Sequence, residues 1–503
     1  MSKNTFSRRE FLRLAGLVAA GATVSACTSV YDKLAGDPKP VTNWPEATDD
    51  DFRILSRLTF GPRVEERQRV AEIGAQAWIE EQLTYESIPD HSLNLRLQKF
   101  ETLTMSATEI ADWSGELFDN ENQDWAPTEL RQATLLRQVY SHRQLYEVMV
   151  EFWTDHFNIS TAKGDGWFLK TVDDREVIRQ HALGKFRDLL WASAHSPAML
   201  VYLDNQVNAK GAPNENYARE VMELHTLGVN GGYTQQDVME LARCLTGWTV
   251  KDSFWRGDFT FKPETHDDGI KTVLGLTLEP NGQHEAEQML DVLATHPSTA
   301  RFIATKLVRR FIADEPPPEL VERASTVFTQ TDGDIRAVLR AILLDGLITQ
   351  PALVQPKFKR PINFITSALR QLNARTEGGE ALHDYLARLG QVHFTWPTPD
   401  GFPDRTSAWR GNLMPRWQFA LALARDEING TKINLSDLMK TAKPRGLSET
   451  IDQLGALLLG APLPAQTRDN LIAALRTGGA NEDESLPSII TAGLVASPAF
   501  QWR

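Results

Sequence analysis

Cysteine is nearly absent from this chain: 503 residues hold two, Cys27 and Cys244. A disulfide scaffold is excluded, because Cys27 belongs to a different chemistry described below and Cys244 is then left alone. No Cys-x-x-Cys, Cys-x-x-Cys-His, Gly-x-Ser-x-Gly, Walker loop or His-Glu-x-x-His occurs. Thiol-redox, c-type cytochrome, serine-hydrolase, nucleotide-driven and zinc-protease readings lose their support. Long apolar runs are missing as well. Residues 14–26 form a mild run of 13, mostly Ala, Gly and Val, whereas a membrane-spanning helix needs about 20 apolar residues. Basic charge is in deficit, with 53 Lys and Arg against 66 Asp and Glu and a net charge of −13. Such a surface repels nucleic acid, which is not an expected partner.

The first 27 residues explain the short run. In "FSRREFLRLAGLVAAGATVSAC" the adjacent Arg8 and Arg9 precede the apolar stretch, the pattern of a twin-arginine export signal. Val24-Ser-Ala-Cys27 has the form of a lipobox, with Cys27 as the lipidated residue. The expected address is the periplasm or cell envelope, reached through the twin-arginine translocation machinery. The expected attachment is to a membrane through acyl chains on Cys27. Lys3, Arg8, Arg9 and Arg13 against Glu10 give the leader +3, so the mature chain carries −16. Residues 28–47 are rich in Pro, Gly, Asp and Thr and are expected to be a flexible tether. The domain proper spans 48–503, with only a weak sub-boundary near 250–280.

Within that domain helical periodicity dominates, and the expected fold is mainly α: one large multi-helix domain with a small β-hairpin near 258–277. Long helices are expected over 83–105 and 128–157. In "LYEVMVEFWTDHF" the residues Leu145, Val148, Met149, Phe152, Trp153, His156 and Phe157 fall on one apolar stripe, with Glu147, Glu151 and Asp155 off it. "TQQDVMELARCLTGW" opens with the N-cap pair Thr234 and Asp237. "TDGDIRAVLRAIL" has Asp334 as a cap, and "RPINFITSALRQL" has Pro361 in its first turn. In "DFTFKPETHDDGIKTVLGLTL" two strand-like runs, 259–262 and 271–276, flank an Asp268-Gly269 turn.

Four clusters carry candidate chemistry. His156 lies on the apolar face of its helix, where a neutral imidazole needs a partner. In "NENYAREVMELHTLGVNGGY", Glu220 and Glu223 share a helix side and suit paired acid/base carboxylates or hard-metal ligands. Arg219 and Glu223 are also spaced as a salt bridge. His225 faces away from Glu223 in a regular helix, so the two do not chelate one ion. In "THDDG", His266 and Asp267 offer an imidazole and a carboxylate for a divalent metal, against a plain solvated turn. The loop "HFTWPTPDGFPDRTSAW" offers Trp396, Asp400 and Phe402 for substrate binding, unless its aromatics instead plug the loop to the body. A basic cluster, Lys306, Arg309, Arg310 with Lys357, Lys359 and Arg360, stands out in an acidic chain. It suits either the neutralisation of carboxylates or an anionic group.

Together "RLTFGP", "FWTDHFNIS", "NENYAREVMELHTLGVNGGYTQQDVMELARCLTGW", "FTFKPETHDDGIKTVLG", "KFKRPINFITSALRQL" and "GQVHFTWPTPDGFP" resemble the bacterial domain-of-unknown-function family numbered 1800. The resemblance runs over about 50 to 500. It implies an exported helical protein, often encoded beside another exported family of sulfatase- or phosphatase-like appearance, and it supplies no reaction. The expectation is therefore an enzyme, metal-dependent or acid/base, acting on envelope or extracellular polymers. His156, Glu220, Glu223, His225, His266 and Asp267 would line one pocket. The alternative is a non-enzymatic, lipid-anchored scaffold or maturation partner of a co-exported sulfatase- or phosphatase-like protein.

Overall fold

The computed structural model of the chain describes residues 24–42, 44, 49–114, 123–251, 257–477 and 486–503. Arg8 and Arg9 lie outside the described residues, as does the Cys27 side chain.

The fold is a mainly α single domain, built around one hydrophobic cluster that runs from Ile54 to Phe500. No separate core begins near 250–280. Nine helices and four short strands position the site. They are α1 (Trp125–Tyr140), α2 (Gln144–His156), α3 (Asn216–Glu220), α4 (Gln235–Cys244), α5 (His284–Thr295), α6 (Pro297–Phe311), α7 (Pro361–Gln371), α8 (Leu413–Ala424) and α9 (Leu486–Ala496). The strands are β1 (Trp248–Val250), β2 (Phe259–Phe261), β3 (Lys271–Val273) and β4 (Leu276–Leu278).

Helix α2 buries the expected stripe: Leu145, Val148, Met149, Trp153 and His156 are all inaccessible or nearly so. Its opposite side is buried too. Glu147 and Glu151 are enclosed, so the period-four acidic row Glu147, Glu151, Asp155 must meet counter-ions inside the protein. One long helix over 128–157 was expected. Instead α1 ends at Tyr140, and Asp90 caps the break by accepting from the His142 amide at 2.8 Å and from the Ser141 hydroxyl. The 83–105 stretch likewise divides into short turns and one helix, His91–Leu97.

The caps behave as their residue types dictate. Thr234 and Asp237 form a reciprocal capping box on α4. Asp334 accepts from the Ala337 amide, and Pro361 opens α7. At the C-terminal end of α3 the helix widens into a π turn, Val221–Thr226.

The β region pairs differently from expectation. Runs 259–262 and 271–276 do not pair with each other: β2 pairs with β1, and β3 with β4. The tight turn is Leu274-Gly275, both left-handed at φ 51° and 78°, as a type I′ hairpin turn requires. Asp237 holds it by accepting from the Leu274 amide at 2.6 Å. Asp268-Gly269 is not the hairpin turn, because Asp267 beside it is gripped elsewhere.

Part of the expected tether is structured. Residues Val24–Ala35 are helical. Asp32 lies between Arg96 (3.3 Å) and Lys99 (3.0 Å), all three side chains buried. The segment continues across the body, where Asn373 donates to the Lys39 carbonyl and Thr441 to the Val41 carbonyl, each at 2.9 Å. Among the described residues no helix is long and apolar enough to cross a membrane.

Candidate active site

The site begins with the buried acidic row of α2. Arg179 forks onto Glu147, with both contacts at 3.1 Å. Glu151 takes Arg310 from α6 and lies 3.6 Å from Arg360. Asp155 accepts from Arg360 at 2.8 Å. Removing one side of such an enclosed pair costs about 3–5 kcal/mol, because the other charge is left buried and uncompensated. Burial pushes the Asp155 carboxyl up to about 6, against the pull of Arg360 and with Glu151 adding to the rise.

Next to Asp155, as the last residue of the same helix, sits His156. Its Nε2 lies 3.0 Å from the carbonyl oxygen of His225. A carbonyl only accepts, so Nε2 carries the proton and Nδ1 keeps a lone pair. That lone pair accepts from Lys306 Nζ at 2.8 Å. The imidazole is held neutral, its pKa driven well below the usual value by burial first and then by the Lys306 charge. Lys306 is half-buried on α6, and burial pulls its ammonium down to about 8, Asp155 opposing and Arg309 reinforcing the shift.

These groups open onto a cavity of about 330 Å³, whose wall includes Asp155 and His156 from α2, Lys306, Arg309 and Arg310 from α6, and Arg360 at the start of α7. The loop through Asp400, Phe402 and Asp404 closes it. Gly401 allows this approach. Its φ is +71°, and a Cβ there would lie 2.0 Å from the Asp155 carbonyl oxygen. Asn158 fastens the same loop by donating to the Trp396 and Thr398 carbonyls at 3.0 and 2.8 Å. Beneath it, Lys357 neutralises Asp404 (3.5 Å) and Asp314 (2.8 Å). Asp404 is held far below the ordinary carboxylate range by Lys357, Arg310 and Arg360, which outweigh its burial. A cavity of about 440 Å³ elsewhere is walled partly by residues 37–41 and contains no histidine.

The expected single pocket of six residues does not form. His156 lines the cavity, and His225 stands behind it, 6.2 Å away between ring centroids. The His225 ring is buried with neither nitrogen hydrogen-bonded, and burial takes its pKa down to about 3. It serves through its backbone carbonyl. Glu220 and Glu223 lie half-buried and are not part of the cavity wall. The Glu220 carboxyl is pushed up by burial and then by Glu223. Glu223 accepts from the Tyr233 hydroxyl at 3.3 Å, while Arg219 pairs with Glu215 at 3.0 Å instead of with Glu223.

His266 and Asp267 are corrected as a metal pair. His266 is enclosed with Nδ1 2.8 Å from the Thr246 carbonyl and Nε2 3.2 Å from Glu285, so both ring nitrogens are engaged by the protein itself. Asp267 forks onto Arg243 at 2.9 and 3.0 Å and is held down at about 2, chiefly by that contact. Among the described residues no three His, Cys, Asp or Glu side chains group as a metal ion would need.

The loop aromatics pack on the protein. Phe402 and Trp409 are buried with Phe358 in a small cluster of their own. Trp396 packs against Phe402 with ring centroids 4.9 Å apart and planes inclined at 50°, and donates to Asp400 at 3.0 Å. Of the three expected substrate-binding residues, Asp400 and Phe402 line the cavity and Trp396 braces the loop. Lys306, Arg309, Arg310 and Arg360 were visible in sequence only as a basic cluster. Asp404 carried no signal beyond the acidic Pro-Asp-Arg tail of the loop.

The fold and the cavity define a mainly α protein with an ion-paired interior opening onto a lysine–histidine pair. Residues 53–502 match the family described as "Protein of unknown function (DUF1800)", and the chain belongs to that family. Comparison with curated proteins and with solved structures finds no match.

Proposed function

We propose that this chain is an exported, lipid-anchored cell-envelope enzyme that uses the Lys306–His156 pair for acid/base chemistry on an envelope or extracellular polymer. Export and anchoring are supported by Arg8, Arg9 and Cys27 in the leader. The chemistry is supported above all by one observation: Lys306 Nζ is aimed, at 2.8 Å, by a neutral imidazole whose tautomer a backbone carbonyl dictates. Near neutral pH an amine with a pKa of about 8 exchanges a proton readily with a substrate hydroxyl or water, because a general base works best when its pKa lies close to the operating pH. Lys306 takes the proton as the free amine and returns it as the ammonium. His156 is a positioning residue. The cavity, at about 330 Å³, is at the small end of ligand pockets, which run from about 300 to 1,000 Å³. It accepts one unit or pendant group of a polymer.

The test is turnover of the purified mature protein against a panel of cell-wall and extracellular polysaccharides. Lys306→Gln is expected to lose about 10²–10⁴-fold in kcat. His156→Phe removes an acceptor from the ammonium and is expected to move the pH profile to lower pH. Full turnover in Lys306→Gln sinks the reading.

The scaffold alternative draws on a different observation. Leu413, Met414, Trp417 and Leu421 are exposed along α8, with exposed Ile489 on α9, the helix packed against it. It is favoured if Trp417→Glu breaks a co-purifying complex with the co-exported partner while Lys306→Gln leaves both complex and cellular function intact.

A further inference from the structure

The charges of the cavity wall do not cancel. Asp155 is paired with Arg360, Glu151 with Arg310 and Arg360, Asp404 with Arg310 and Lys357, Asp314 behind the wall with the same Lys357, and Arg405 with Glu315. Lys306 donates only to His156, and Arg309 only to the Asp314 carbonyl through Nε at 3.1 Å. Neither has a carboxylate partner among the described residues. The unpaired carboxylate of the wall is Asp400, which is exposed at the mouth and already accepts from Trp396 and Thr398. The enclosed arginines also hold unused donors. Arg310 is 1 % exposed, its Nη1 faces Asp404 at 3.7 Å, and the Nε of Arg310 and of buried Arg360 has no hydrogen-bond acceptor. These enclosed nitrogens do not reach the cavity surface; the incoming acceptor is called for by Lys306 and Arg309, the two cations of the wall without a carboxylate partner.

That acceptor must be anionic and must offer oxygens in more than one direction. Arg309 approaches from α6 and Arg360 from the start of α7. A planar carboxylate is satisfied by a single guanidinium fork, whereas a tetrahedral oxyanion presents three oxygens to donors on different elements. We infer that the cavity binds a sulfate or phosphate ester carried by the polymer. Its oxygens would be held by Arg309 and Arg360, leaving Lys306 to move protons. This rests on the acid/base reading for its purpose but not for its measurement.

Isothermal titration calorimetry of the purified mature protein at pH 7 and constant ionic strength tests it, with sodium sulfate, sodium phosphate and sodium acetate as titrants. Saturable one-to-one binding of sulfate or phosphate is expected, the tighter of the two naming the ester, with acetate weaker by about tenfold or more. Arg309→Gln is expected to weaken the tetrahedral anion about tenfold or more, and Arg301→Gln, on the same helix as Arg309 but exposed and paired with Glu322 of the next helix, to bind as the parent does. Arg309→Lys, which keeps the charge and loses the fork, provides the second variant and is expected to lose the preference over acetate. No saturable binding, equal binding of acetate, or an unchanged affinity in both Arg309 variants overturns the inference. Turnover that still needs Lys306 in that case leaves the acid/base reading standing. Anion binding with full turnover in Lys306→Gln sinks that reading alone.

Discussion

Lys306 carries a folding cost at neutral pH. Its ammonium is drawn down from 10.5 to about 8 mainly by burial, so folding disfavours the charged form. Between about pH 8 and 10.5 the unfolded chain holds a proton that the folded chain has released, and wild-type stability therefore rises with pH through that window. Below pH 8 the full penalty remains. Lys306→Met is accordingly expected to be more stable than the parent at pH 7, by about 1 kcal/mol. The gain should fade as the pH passes 8, as read by urea unfolding at several pH values. A variant that is less stable at pH 7 would show that Lys306 is a structural ion. Asp155 acts in the opposite sense. Its carboxyl is raised from 3.8 to about 6, so the folded chain holds the extra proton between those values, and its contribution declines as pH rises across them.

At the scale of elements, α2 and the loop over it form the site, and Gly401 is the point where they meet. Gly401→Ala adds a methyl into the Asp155 carbonyl at a positive φ. The loop must shift, at a cost of about 1–3 kcal/mol. The expected result is a lowered Tm together with a loss of anion binding, since Asp400, Phe402 and Asp404 move with it; an unchanged Tm would show the loop to be slack. Much at this scale was readable in the chain. The α2 stripe, the Thr234–Asp237 box, the Asp334 cap and Pro361 are local patterns, decided within one or two turns. The Leu274-Gly275 turn was not, because a leucine at positive φ is held there by Asp237, a contact across 37 positions. The Lys306–His156 contact spans 150 positions, and nothing in either segment names the other. What the chain did display was its two halves: carboxylates at every fourth position of α2, and cations three and four apart on α6. Read together, a buried acidic row and an unexplained basic cluster mark one ion-paired interior. His266 misled because its type suits a metal, while its role in the fold is to tie Thr246 to Glu285.

At the scale of the whole molecule, an acidic protein of net charge −13 surrounds a cavity whose unpaired side chains are mainly cationic. One continuous core and a strapped N-terminal segment hold that contrast in place, with Asp32, Lys39 and Val41 fastened to the body. A field of this kind gathers an anion into one place and repels it from the rest of the surface. The account depends on the amine within it being poised near neutrality. Lysine side chains can be marked by reductive methylation with carbon-13 formaldehyde, and each dimethylammonium signal then followed against pH by NMR. The Lys306 signal, assigned by its absence in Lys306→Met, is expected to titrate near pH 8 and to move lower in His156→Phe. A Lys306 signal that titrates with the surface lysines, above pH 10, and is indifferent to His156 would contradict the account.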